Sequence, residues 1–355
     1  MESLGVSRFW DNKKVFITGH TGFKGSWLCE LLLALGARVI GFSLSDCKDN
    51  SPFNTLQLAD KITHCLGDIR NLNNLAEVLN SYEPEFIFHF AAQSLVRVGY
   101  SSPIDTWTTN VVGTANLLEA VRMSGLKPTI IVATTDKVYA DRGDNRPHCE
   151  NDRLWGGDPY SASKVSTELV VDCWRKSYLD MLGVKVATVR AGNVIGGGDW
   201  SADRIVPDLA RAYMKGARLR VRNGNAIRPW QHVLDPLSGY LILAQNLSVG
   251  EDDIPGTSFN FGPNPKELYT VNALVEEFSK GWKGNSYSDQ STADGQEVMK
   301  LSISSELARV KLGWTPTWGF KRSVFETSRW YQFVLEGNNP QAITRDQITS
   351  YLAEQ

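Results

Sequence analysis

A chain of 355 residues with a net charge of −2 and 42 % hydrophobic residues is long enough for one large domain or two smaller ones, each with a full core. The balanced charge, with no run of lysines or arginines, excludes an electrostatic nucleic-acid binder, and no apolar run approaches the length of a bilayer span. Five scattered cysteines without CxxC spacing, and five histidines that form no ligand pair on one helix, argue against a disulfide framework or a metal centre. Together with an N-terminal stretch, MESLGVSRFWDNKK, that lacks the apolar core of a signal peptide, they predict a cytoplasmic protein with no membrane partner.

Lys14–Thr18 reads as a short apolar strand, followed at once by Gly19-His20-Thr21-Gly22-Phe23-Lys24-Gly25 and a helical run from Ser26 to Leu35 closed by Gly36. Strand, GxxGxxG loop and helix in that order suit a dinucleotide: glycine lets the backbone approach a pyrophosphate, and the helix N-terminus supplies amide donors. Gly19, Thr21, Gly22, Phe23, Lys24 and Gly25 are therefore candidate cofactor contacts. A second strand, residues 37–44, ends at Ser43 and Ser45 with Asp46 beyond, and carries no arginine for a 2′-phosphate, which favours NAD over NADP. The third strand leads to Asp68 and Ile69, candidate adenine contacts. The fourth, residues 86–90, ends in Ala91, Ala92 and Gln93, where small residues let the backbone lie against a cofactor. A helix over residues 108–124 carries Asn110.

Residues 129–133 read as a buried parallel strand, and ligands of open α/β sheets bind at the carboxyl ends of such strands. Thr135, Asp136 and Lys137 stand at that end: a hydroxyl, an acid and an amine. In YSASK, Tyr160 and Lys164 lie four residues apart, on one face of a helix expected from Tyr160 to about Met181. A free tyrosine is a poor base at neutral pH, and a neighbouring ammonium favours its phenolate; a shift of about 3 units is worth roughly 4 kcal/mol.

A further strand, residues 184–189, runs into the glycine-rich stretch from Arg190 to Trp200, which reads as a binding loop through Asn193, Asp199 and Trp200. An amphipathic helix over 205–215 and a short basic strand over 219–222 follow. Arg204, Arg220, Arg222 and Arg228 lie within 25 residues of one another, suited to a diphosphate ligand, with Gln93 as a further substrate contact. An apolar helix covers 236–247, the chain turns polar over 281–297, and a last amphipathic helix runs over 320–336. Alternating strands and helices predict an α/β fold, a doubly wound parallel Rossmann sheet with a smaller C-terminal α/β substrate domain. The expected division is 1–190 with about 229–262 for the dinucleotide, and 191–228 with 263–355 for the substrate.

GxxGxxG near the N-terminus with YxxxK in mid-chain resembles the extended short-chain dehydrogenase/reductase family. The stretches FWDNKKVFITGHTGFKGSWL, HFAAQSLVR, TTDKVY, DPYSASK, RAGNVIGGGDW, IRPWQHVLDPLSGY and LGWTPTW are similar to its nucleotide-sugar 4,6-dehydratases, from residue 9 to about residue 318. The resemblance implies a redox-neutral hydro-lyase with tightly bound NAD, of the kind used in deoxysugar and lipopolysaccharide biosynthesis, working as a homodimer or homotetramer. It implies Tyr160 as the base at the 4-hydroxyl, Lys164 on the ribose and Thr135 on the 4-oxygen. Lys137 is implied as the base at C5 and Asp136 as the acid for the C6 hydroxyl. Related dehydratases usually carry Glu at the position of Lys137, so the lysine points to a CDP-sugar substrate. Two places depart from the pattern: Gln296-Glu297 replaces a His-Glu pair, and Ser304 and Leu307 replace an Asp and a Lys. Two readings stay open beside it, a nucleotide-sugar 4-epimerase and a 4,6-dehydratase acting on another nucleotide sugar.

Overall fold

The computed structural model describes residues 8–44, 49–144, 146–217, 219–221, 223–250, 258–282, 288–289 and 300–355. Its seven main strands are β1 (Lys14–Thr18), β2 (Arg38–Ser43), β3 (Thr63–Leu66), β4 (Phe86–His89), β5 (Thr129–Ala133), β6 (Lys185–Ala191) and β7 (Ser258–Phe261). They form one sheet in the order β7-β6-β5-β4-β1-β2-β3, with every neighbouring pair parallel. The doubly wound sheet expected from the sequence is present. The chain runs outward from β1 to β3 and then returns to β4 on the other side of β1, so the carboxyl ends of β1 and β4 bracket the switch point where such sheets bind ligands.

Strand side chains alternate between the two faces of a pleated sheet, and both faces are covered here. Val15, Ile17, Phe88, Ile131 and Val189 join one apolar layer with helices α1 (Phe23–Ala34), α6 (Leu234–Val249), α8 (Phe320–Leu335) and α9 (Pro340–Glu354). Phe16, Ile40, Ile87, Ile130 and Val186 join the other with α2 (Leu72–Tyr82), α3 (Gly113–Ser124) and α4 (Pro159–Trp174). A single strand thus feeds two cores, which is why the strands read as continuous apolar runs.

The remaining chain is held by small pairings. Val194–Ile195 runs parallel to Gln231–His232, and Ile227–Arg228 antiparallel to Tyr269–Thr270. Helices α5 (Ile205–Met214) and α7 (Val271–Ser279) lie in this half. Three elements differ from the sequence reading. The helix expected over 108–124 opens with a wide turn at Thr108–Val112 before α3, the one expected from Tyr160 to about Met181 passes after α4 into a wide turn at Arg175–Leu179, and α9 adds a helix beyond the one expected to be last. Among the described residues no helix is long and apolar enough to cross a membrane.

Candidate active site

The chain leaves β5 at Ala133, and Thr135 caps a short turn, Asp136–Val138. The Thr135 hydroxyl donates to Asp136 Oδ1 at 3.2 Å, while Asp136 Oδ2 is buried without a hydrogen-bond partner. Asp136 is only 3 % exposed, whereas Lys137 is open to solvent. Opposite this turn, α4 begins at Pro159 with Asp158 as its cap, Oδ1 accepting from the Tyr160 and Ser161 amides at 2.9 and 3.0 Å. Tyr160 and Lys164 are both buried on the helix face toward the strand end. The Lys164 ammonium donates to the Ala133 carbonyl at 3.0 Å, and the Tyr160 phenol is hydrogen-bonded to Thr135. The structure therefore brings all five expected catalytic residues, Thr135, Asp136, Lys137, Tyr160 and Lys164, to one place.

Burial raises the Asp136 carboxyl above its ordinary range, opposed by Lys137, the Thr135 hydrogen bond, Arg228 and Lys24. The shift favours the protonated form, the one that can donate a proton. Burial also pushes Tyr160 up to about 12, opposed by the Thr135 hydrogen bond and then the Arg204 guanidinium. Lys164 is the cation expected to favour the phenolate; here its ammonium donates to the Ala133 carbonyl, and Arg204 is the cation that acts on Tyr160, against Asp136 and Asp158. Lys164 is lowered to about 8 by burial and then by Lys24, and Lys24 to about 8 by burial and then by Arg204.

The glycine loop lies at the switch point. Gly19 has φ +73°, and a Cβ on it would stand 2.6 Å from the Ala91 amide nitrogen; on Gly25 it would stand 2.3 Å from the Gly19 carbonyl oxygen. Gly22 caps α1 with no side chain on the first amides, leaving those donors for a ligand. This cradle fits a dinucleotide pyrophosphate. Thr21 is tied to the end of β2 by the Ser43 hydroxyl at 3.0 Å, Phe23 packs near Gly196, and Ala91 and Ala92 are half-buried beside the loop. Asp68 stands beyond β3 with Arg70, whose hydrogen bonds hold its carboxyl below the usual range, and Ile69 packs against Gly113.

Several expected contacts have other work. Asn110 gives both amide hydrogens to the Gln93 carbonyl and Ser163 Oγ, at 3.0 and 2.9 Å, and its oxygen takes the Gln93 amide at 2.8 Å. It braces the end of β4 to α4 instead of offering a donor to a cofactor. Gln93 spends its own side chain on Leu95 and Thr106, so neither the cofactor nor the substrate contact assigned to it has a free donor. Asp199 is buried and paired with Arg204 at 2.9 Å, and its carbonyl accepts from Tyr331. The glycines before it answer to packing: a Cβ on Gly197 would stand 2.0 Å from the Trp330 ring, and the Trp27 indole donates to the Gly197 carbonyl. Trp200 stacks edge-on against Tyr331, and Asn193 is half-buried, its carbonyl accepting from the Gln231 amide. Arg228 does reach the site, since its charge acts on Asp136. The Arg220 side chain, Arg222 and Gln296-Glu297 lie outside the described residues, as do Ser45 and Asp46.

Sequence reasoning missed one buried network. Glu168 on α4 accepts from Thr134, Thr188, Ser258 and Arg190, and Arg190 also donates to the Tyr139 hydroxyl. The signal was there as an i, i+4, i+8 row of Tyr160, Lys164 and Glu168. Among the described residues no group of three His, Cys, Asp or Glu side chains could hold a metal ion.

The family model for GDP-mannose 4,6 dehydratase matches residues 16–327. The chain is 38 % identical to the CDP-glucose 4,6-dehydratase of Salmonella typhimurium, covering 97 % of this chain and 98 % of that protein. It is 27 % identical to the dTDP-glucose 4,6-dehydratase of Haemophilus influenzae, covering 90 % and 98 %. Among solved structures, a dTDP-glucose 4,6-dehydratase from Streptomyces venezuelae with NAD bound superposes with a TM-score of 0.77 at 23 % identity, covering 92 % of this chain and 99 % of that one. A UDP-glucose 4-epimerase from Thermotoga maritima gives 0.79 at 23 % identity, covering 91 % and 99 %. Those two likenesses speak to the fold alone. With the family match over most of its length and a 38 % identical relative along nearly all of it, the chain belongs to the GDP-mannose 4,6-dehydratase family, within the extended short-chain dehydrogenases/reductases.

Proposed function

We propose that this protein is an NAD-dependent hydro-lyase that converts CDP-glucose to CDP-4-keto-6-deoxyglucose. The observation that carries the reading is Asp136: a buried carboxyl, raised by burial, with Oδ2 unpartnered, joined through the Thr135 hydroxyl to Tyr160. An epimerase needs the tyrosine and the hydroxyl; the acid and the adjoining amine have a purpose only if water leaves.

Bound NAD+ would supply a hydride acceptor for C4 that returns the hydride at C6. The chain's own residues move the protons. Tyr160 Oη, once ionised, takes the proton of the 4-hydroxyl, with Thr135 Oγ1 holding the same oxygen. The resulting ketone acidifies C5; Lys137 Nζ, in its neutral form, removes that proton and gives it back to C5 when hydride is returned at C6. Asp136 Oδ2, protonated, gives its proton to the departing C6 hydroxyl, so water leaves and the carboxylate remains beside Arg228 and Lys24. Gly19, Gly22 and Gly25 hold the pyrophosphate of the cofactor, and Lys164 its ribose. Residues 1–190 with 229–262 carry the dinucleotide, and 191–228 with 263–355 the nucleotide sugar. Arg228 is assigned to the substrate's diphosphate. The 38 % identity to a CDP-glucose enzyme and the lysine at position 137 support the CDP-sugar.

Incubation with a panel of nucleotide hexoses, read by product mass, tests the reading. CDP-glucose should lose one water and yield a product with the alkaline absorbance of a 4-keto sugar. Isomerisation without loss of mass would replace it with an epimerase, and turnover of a different nucleotide alone would move the substrate.

A further inference from the structure

Helix α4 meets the end of β5 through three successive turns. Tyr160 is hydrogen-bonded to Thr135, Lys164 donates to the Ala133 carbonyl at 3.0 Å, and Glu168 accepts from the Thr134 hydroxyl at 2.5 Å. Residues four apart on a helix share a face, so one row of side chains grips the whole of the 133–135 segment. The third member of this row has no part in the reaction derived above, yet it is the most heavily bonded. Its Oε1 also accepts from Arg190 Nε at 2.8 Å, and its Oε2 from Thr188, Arg190 Nη2 and Ser258 at 2.6, 3.0 and 3.2 Å. Five donors fix an ionised carboxylate in one rotamer. They come from the end of β5, from β6 and from β7, so Glu168 pins α4 to three neighbouring strands at once.

The charges that face Lys164 are few. Lys24 approaches from α1 and His89 from β4, Tyr160 and Glu168 flank it on α4, and the Ala133 carbonyl receives its hydrogen bond. His89 is held neutral by burial and then by Lys164 itself, its ring bonded to Thr18 and Thr114. Lys24 repels the ammonium, and burial disfavours it. Glu168 is the anion among them.

We propose that Glu168 is a positioning residue of this site: its carboxylate registers the strand end that carries Thr135 and Asp136 against α4, and stands one helical turn from Lys164 as its counter-charge. The inference rests on the dehydratase reading for what the geometry serves, but the titration of Lys164 needs neither substrate nor turnover.

The test follows the Lys164 side chain by NMR in protein labelled with 13C at the lysine ε carbon, its signal assigned by its loss in Lys164→Met. Glu168→Gln should lower the Lys164 midpoint by about one unit, a roughly tenfold change in acidity, while Glu168→Asp should keep it near the parent value. If Glu168→Gln leaves Arg190 unpaired and fails to fold, Glu168→Gln with Arg190→Gln removes both buried charges; Arg190 is not among the charges acting on Lys164, so the same fall is expected. An unmoved midpoint in whichever variant folds would overturn the proposal. That result would leave the dehydratase reading standing, and a failure of that reading in the mass assay would leave the titration untouched.

Discussion

Asp136 and Tyr160 are tied through a single hydroxyl. Thr135 donates to Asp136 Oδ1 at 3.2 Å and is hydrogen-bonded to the Tyr160 phenol, so the acid of one step and the base of another share a partner. Burial shifts both toward their protonated forms. Each group is poised by the same enclosure but serves a different step, and the two can be separated by substitution.

Removing the phenol hydroxyl takes away the base and one hydrogen bond to Thr135, and nothing in the glycine loop. Tyr160→Phe should therefore lose nearly all turnover while keeping bound NAD and a melting temperature within a few degrees of the parent. Turnover within a few-fold of the parent would assign the oxidising base elsewhere.

Arg228 donates to the Ile227 carbonyl at 2.9 Å and its charge reaches Asp136. If its further contact is with the diphosphate in ground and transition states alike, Arg228→Ala should raise KM strongly with a smaller fall in kcat. Steady-state kinetics of the dehydration decide it: an unchanged KM removes Arg228 from the diphosphate.

A second buried acid gives a stability prediction with an unusual sign. Asp235 Oδ1 accepts from the Thr317 and Trp318 amides and the Tyr351 hydroxyl, docking α9, while Oδ2 is buried with no partner. Burial pushes the carboxyl up from 3.8 to about 7. The folded state then binds more protons than the unfolded one between those values, so this group's contribution falls as pH rises from about 4 to 7, by an amount on the order of 4 kcal/mol. Asp235→Asn keeps the acceptor and cannot ionise, at the cost of an unpaired donor worth about 1–3 kcal/mol. Melting curves should show the variant less stable than the parent near pH 4 and level with it or above it near pH 8. Parallel curves at every pH would refute the assignment.

What was legible in the chain and what was not divides along physical lines. β1 and β5 were read to the residue, because strands buried on both faces are unbroken apolar runs that end sharply at polar or glycine residues. Tyr160 and Lys164 were legible because helical spacing is local. The partners of Asn110, Gln93 and Glu168 were not, because a hydrogen bond across 17 or 22 residues leaves no trace in spacing. Gly197 looked like ligand space for the same reason: the Trp330 ring that fills it lies far along the chain. Helix α9 escaped notice because its buried face includes Thr344 and Gln347, which hydrogen-bond Trp330 and Glu326 and break the apolar period.

The most discriminating substitution concerns Asp136 and Lys137 together. One is buried with a free oxygen and the other is open to solvent, yet both are assigned to the elimination of water alone. Replacing them with Asn and Met leaves Tyr160, Lys164, Thr135 and the glycine cradle in place, so oxidation at C4 should survive. In a single-turnover experiment with CDP-glucose in excess, the variant should build up reduced cofactor, seen at its near-ultraviolet band. Water loss should fall by about 10²- to 10⁴-fold, as expected for losing an acid or base. The single variants, Asp136→Asn and Lys137→Met, should each approach the loss of the pair, because both residues serve one step and their effects do not add. If the absorbance and the water loss vanish together, the pair is needed for binding or folding. If water is still lost rapidly, neither residue is the acid or base assigned to it, and the buried oxygen of Asp136 must serve a different group.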